Sequence, residues 1–207
     1  MSETISNFVS ADNSSDLGRM NFVMAAAFSG LRTSMPVEVI SVTNSGGVSA
    51  IGTVSVKPLV QGKDGEGNIV PHGIIYNVPY MRIQGGSNAV ILDPNVGDIG
   101  LASVCDRDIS TVQNSLQESP PGSSREFDMS DIVYIMTIIS ATVPTQYVAF
   151  SATGIAITTP NKVTINANEV DINGILKNNG VNVGSTHTHP VVGVQTGSST
   201  IESSVPQ

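Results

Sequence analysis

Leu17, Met20, Met24, Ala27, Phe28 and Leu31 fall at three- and four-residue spacing, the period of one helix face. Asn13, Ser14 and Ser15 offer N-caps and Asp16 stands in the first turn, so a helix is predicted from there to near Thr33. Ala25, Ala26 and Ala27 would let it pack closely, and its amphipathic stripe reads as a lid on a β core in preference to a coiled coil. Residues 1–13 are polar and expected to be loose. From Val37 the apolar period changes to two. Strands are predicted over residues 37–42, 48–60, 69–83, 89–92 and 99–105. Asn44-Ser45-Gly46-Gly47, residues 62–68, Gly85-Gly86-Ser87 and Asp93-Pro94-Asn95 supply the turns between them. Five short strands within about 70 residues predict a small closed barrel, of which the OB-fold is the commonest design. Residues 111–130 read as a connector broken at Ser119-Pro120-Pro121-Gly122-Ser123-Ser124, with a strand over 131–141 after it.

The last third has a different rhythm. Apolar-x-apolar pairs occur at Val148/Phe150, Ile155/Ile157, Val163/Ile165, Val170/Ile172 and Val181/Val183, in steps of 7, 8, 7 and 11 residues. Thr, Asn, Gly and Pro fill the gaps. This is the pattern of a β-solenoid. A single-chain β-helix spends about three strands on each coil and needs about three repeats to hold together, so one chain cannot enclose this core. Three chains side by side can, with the Ile and Val pairs turned inward. Burying each such side chain is worth about 1.5–3 kcal/mol. The expected fold is therefore all-β: an N-terminal segment and helix (1–35), an OB-fold barrel (36–110), a connector and strand (111–145), an intertwined triple-stranded β-helix shaft in a homotrimer (146–184), and an apex (185–207).

Composition sharpens this picture. Of the 207 residues 13% are charged and 4% aromatic, with no Trp, while Val and Ile together number 46. Such a chain is too β-branched and too poorly charged for disorder, and it lacks the A/E/K/L/R bias of a coiled-coil body. Nine scattered basic residues against seventeen acidic ones, a net charge of −8, exclude the clustered cations that nucleic-acid binding needs. Cys105 is the single cysteine, in an apolar run, and reads as a buried, inert thiol. MSETISNF has no cationic region, so no secretory signal is expected there. Residues 132–161 carry no charge, but the strongly apolar part, 132–143, is too short to span a bilayer and stops at Pro144, so it reads as buried strand.

Candidate chemistry sits in the tail, at His187-Thr188-His189-Pro190. Residues i and i+2 of a strand share a face. Two imidazoles per chain are too few to close a metal site, but a threefold axis gathers six. Zinc prefers four ligands. Six nitrogens suit an octahedral transition ion, iron(II) first, with nickel or cobalt as competitors. Taken alone, the tripeptide fits a pair of solvated histidines in a frayed tail better; placed at the end of a trimeric shaft, it favours metal.

Pro94-Asn95-Val96-Gly97-Asp98-Ile99-Gly100-Leu101, running into Cys105-Asp106-Arg107-Asp108, and the tail His187-Thr188-His189-Pro190 with Gly193, Thr196, Gly197 and Ser198 carry a family resemblance. With the shaft between them, the chain resembles the central spike, or baseplate puncturing, proteins of contractile-tailed phages. The first motif looks like the Pro-x-x-Gly-Asp-x-Gly signature of their N-terminal OB-type domain, and the second like their apex. The resemblance implies a virion protein of the tail baseplate, joined by its barrel to the hub and tail tube. It also implies one iron ion (Fe2+) per homotrimer, with His187 and His189 as ligands, and a tip that pierces the host outer membrane when the sheath contracts. The shaft is short, which implies a compact spike without a lysozyme domain, and residues 198–207 have no counterpart to assign.

Other sites weigh less. Asp64-Gly65-Glu66-Gly67-Asn68 begins like a calcium loop but lacks the distal Glu, and reads as a solvated hairpin turn. His72 beside Pro71 reads as a surface barrel residue. Asp106/Asp108 and Asp128/Asp131 read as turn residues rather than paired catalytic carboxylates. Asn166, Asn168 and Asn173 read as solvated turns rather than ligands on an axis. No Gly-x-Ser-x-Gly, phosphate loop or Cys-x-x-Cys is present, so the chain is not expected to be an enzyme. The rival reading is a trimeric β-helical receptor-binding fibre or adhesin.

Overall fold

A computed structural model of the protein describes residues 15–44, 46–64 and 66–184. It is mostly β, with two helices among the described residues. In chain order the elements are α1 (Asp16–Ser29), β1 (Ser34–Val42), β2 (Thr53–Pro58), β3 (Gly62–Lys63), β4 (Ile69–Val70), β5 (Ile75–Pro79), β6 (Ile83–Gly85), β7 (Asn88–Val90), β8 (Ile99–Val104), α2 (Ser110–Ser115), β9 (Ile132–Ile139), β10 (Tyr147–Ser151), β11 (Gly154–Thr158), β12 (Lys177–Asn178) and β13 (Val181–Asn182). The chain divides after Pro144 into two units.

The first unit is built on a five-stranded antiparallel sheet in the order β5-β2-β1-β8-β9. Its outer strands meet: Tyr80, just past β5, bridges Tyr134 of β9 in parallel, and Met81 N donates to Tyr134 O at 2.8 Å. The core lies inside, where alternate residues of each strand point. Val37, Val39, Val54, Val56, Val78, Tyr80, Ala102, Ile132 and Tyr134 are all buried. A bulge lets β5 follow the curve. Val54 pairs Val78 and Val56 pairs Ile75, which leaves one extra residue on β5, and Asn77 takes the left-handed conformation at φ 59°.

Several expectations are corrected here. The alternation over 48–60 yields a strand only from Thr53, because residues 43–52 form a loop tied down by side-chain bonds. Residues 88–90 pair with 83–85 in a separate hairpin and take no part in the sheet. The fifth strand of the sheet is β9, from the region expected to be a connector and strand, so this unit extends well past residue 110. The helix ends at Ser29, four residues short of Thr33, with Gly30 as its C-cap. It is also no lid. The sheet fills its own interior, and among the described residues α1 makes no substantial packing contact with any other element.

The second unit holds two hairpins, β10–β11 and β12–β13, with no strand assigned between Thr158 and Lys177.

Candidate functional site

The β10–β11 register places Val148 opposite Ile157 and Phe150 opposite Ile155. Residues directly opposite in an antiparallel pair share a face, so these four form one wholly apolar face. The other face carries Tyr147, Ala149, Ser151, Ala156 and Thr158. In the single chain the apolar face is open: Phe150 is 79% exposed and Ile157 65%. The pattern continues beyond the hairpin, where Val163, Ile165, Val170, Ile172 and Ile175 are exposed as well. No residue from 145 to 184 is buried. Soluble monomers rarely leave so continuous an apolar surface uncovered.

The backbone repeats the message. Among the described residues, 160–175 make no backbone-to-backbone hydrogen bond. Backbone N–H and C=O groups need partners once apolar side chains around them are buried, so covering this face calls for strands that the described residues do not supply. Order returns at the far end. Asn179 and Gly180, at φ 47° and 82°, make the two-residue turn of β12–β13, a primed geometry that favours Asn-Gly. Val183 N then donates to Leu176 O at 2.9 Å. His187 and His189 lie outside the described residues. Among the described residues, no group of three or more His, Cys, Asp or Glu is placed to hold a metal ion.

In the first unit the Pro-x-x-Gly-Asp-x-Gly motif serves the backbone. Gly97, at φ +91°, donates its N–H to Val39 O, and Val39 N donates to Asp98 O, at 2.8 and 2.9 Å. The Asp98 carboxylate accepts from Asn95 N at 2.8 Å. Gly100 lies under the ring of Tyr134, where a Cβ would stand 2.3 Å from the phenol oxygen. The motif thus staples the entry of β8 to β1 and clears room for a buried tyrosine.

The sequence did not show two charged clusters, although Asp108 and Asp131 of the second were read as turn residues. Arg82 and Asp93, both buried, pair at 2.5 Å, and Asp93 also accepts from Tyr80 Oη at 2.7 Å and Gly46 N at 3.2 Å. Arg82 Nη1 donates to Ser49 O at 2.7 Å, and Asn44 Nδ2 donates to Tyr80 Oη at 2.9 Å. Burial pushes the Asp93 carboxyl up, but the Tyr80 and Arg82 bonds outweigh it and leave it below the usual range. The cluster locks loop 43–52 to the segment leading into β8. The other cluster joins Asp108 to Asp131 through Arg125, with Nη2 at 2.9 Å from Asp108 and Nε at 3.1 Å from Asp131. Hydrogen bonds from Ser110, then Ser123, hold the Asp108 carboxyl at about 2. Cys105 N donates to Asp131 O at 2.7 Å, so this cluster fastens the excursion between β8 and β9 at both ends. An isolated Arg in an apolar strand region was the available signal, since Arg is almost never buried unpaired.

The remaining candidates are spent locally. Asp64 accepts from Asn68 N, Asn68 Nδ2 and Glu66 N, and the Asn68 side chain first among these lowers its carboxyl. The half-buried His72 ring lies beside the Gly62 backbone. Asp128 accepts from Ser130 N at 2.8 Å, and Asp106 O from Phe127 N at 3.3 Å. Asn173 donates to Asp171, while Asn166 and Asn168 are exposed. Cys105 is half-buried rather than buried, and burial, with Asp131 and Asp106 nearby, pushes its thiol up, away from reactivity. No helix among the described residues is long and apolar enough to cross a membrane. No protein-family model matches the chain, and no curated protein does either.

Proposed function

We propose that this chain is the homotrimeric central spike of a contractile phage tail, a mechanical part of the baseplate that pierces the host outer membrane as the sheath contracts. One observation carries the proposal. Residues 145–184 expose every large apolar side chain they contain, and among the described residues 160–175 make no backbone-to-backbone hydrogen bond. Two further copies supply both missing things at once, as strands that hydrogen-bond to the open backbone and apolar faces that close a common core. The polar Thr, Asn and Ser positions then face solvent, and the shaft is stiff because every chain is held by the other two.

The sheet of the first unit supports the rest of the reading. Its order β5-β2-β1-β8-β9, with the outer strands meeting in parallel, is the order of an OB-type barrel. That barrel is the part that joins the baseplate hub and tail tube. At the other end His187 and His189 follow the ordered Asn179-Gly180 hairpin closely. Three copies offer six neutral imidazole nitrogens, a donor set that fits one iron(II) ion. The metal would pin three chain ends against fraying and takes part in no reaction. The protein is not an enzyme in this reading and binds no nucleic acid; the sheath supplies the work.

The test is mass and metal content of the full-length chain in solution. The expected result is a trimer with one iron for every three chains, and a His187→Ala/His189→Ala variant that loses the iron yet stays trimeric. A monomer without metal would contradict the proposal.

A further inference from the structure

α1 poses a separate problem. It is a 14-residue helix with Ser15 as its N-cap, and among the described residues it makes no substantial packing contact with any other element. A helix of that length is marginal in water without tertiary support. Along the helix Leu17, Met20, Met24 and Ala27 are spaced three, four and three residues apart. That is the a/d seam of a coiled coil, with small Ala27 allowing close approach. All four are exposed, Leu17 by 70% and Met20 by 64%. Val23 and Phe28 flank the seam and widen its apolar face, while the two charges of the helix, Asp16 and Arg19, lie off it.

We infer that α1 packs against the α1 helices of the other two copies, forming a parallel three-helix seam at the barrel end of the assembly. The inference rests on the trimeric reading above, which brings three α1 helices into one molecule. An a/d seam is completed by an equivalent seam, and this one offers no charge through which a polar partner could be selected. The helix therefore gives the assembly a second trimer contact, independent of the shaft.

Disulfide trapping in the full-length chain tests this, in a Cys105→Ala background. Met24→Cys places a thiol on the seam and Ala25→Cys places one off it; Met24 is exposed and Ala25 half-exposed, so neither change touches the barrel core. Each variant is weighed by light scattering and then treated with a mild oxidant. The expected result is trimers in both cases, with disulfide-linked pairs of chains for Met24→Cys and none for Ala25→Cys. Trimers that yield no linked pairs at Met24→Cys, or as many at Ala25→Cys, overturn the seam and leave the trimeric spike standing. That result would mean the helix docks on a barrel or on the hub. Monomers in both variants and in the parent chain overturn the trimer and the seam together.

Discussion

Valine and isoleucine dominate both halves of this molecule, and they meet opposite fates. In the five-stranded sheet Val37, Val39, Val54 and Val56 are no more than 1% exposed, and every strand has a hydrogen-bonded neighbour within the chain. In residues 145–184 the same residue types stand open to solvent, and among the described residues 160–175 make no backbone-to-backbone hydrogen bond. The two regions hardly differ in their local apolar alternation. They differ in who supplies the other half of the core. The first unit closes its sheet on itself, with Tyr134 over Gly100 and two ion clusters, that of Arg82 and Asp93 buried, fastening its loops. Among the described residues the second has too few strands to enclose anything, so in the proposed trimer its stability would be a property of the assembly and depend on concentration.

The largest expected effect is on assembly. Ile157→Asp puts a charge on the apolar face of the β10–β11 hairpin, and a buried, unpaired charge is prohibitively costly. Gel filtration with light scattering should show complete loss of the trimer, while near-UV circular dichroism of the tyrosine-containing barrel stays native. If the variant still assembles, that face is not the interface. Next comes Ile132→Ala, which empties a site 1% exposed in the barrel. It should cost the barrel about 2–5 kcal/mol in a urea titration whose midpoint does not move with protein concentration. A midpoint that did move would mean the barrel, too, borrows its core.

The smallest effect is on acid sensitivity. Asp108 stands at about 2 in the fold, below its ordinary 3.8, so the folded chain holds this proton less tightly than the unfolded one. The stability it contributes is present above 3.8 and lost as pH falls through about 2. Asp108→Asn should flatten that decline in the barrel transition and leave the shaft's concentration dependence alone.

Much of this was legible in the residues. The alternation around Val37, Val39, Val54 and Val56 marks strands, and the Pro94 to Gly100 motif marks a turn whose glycines are needed, one for φ and one for space. The Ile/Val pairs after residue 146 mark a stretch of short apolar strands, of which β10 and β11 form and whose side chains the described residues leave exposed. What alternation lacks is partnership. It does not say that the strand completing the sheet comes from 132–139, beyond a long excursion, while 88–90 stays outside. It does not show that a well-formed amphipathic helix makes no substantial packing contact with another element among the described residues. Arg82 and Asp93 meet only through tertiary structure, since nothing in their local sequence pairs them. His187 and His189 are clear as a motif, but they lie outside the described residues.

In the proposed trimer residues 160–175 take their backbone partners from other copies of the chain. Amide hydrogen exchange on the full-length protein tests it most directly, because it reads those hydrogen bonds residue by residue. Slow exchange is expected across 160–175 in the trimer and fast exchange in the Ile157→Asp variant. Fast exchange in a chain that weighs as a trimer, or slow exchange in one that weighs as a monomer, would contradict it.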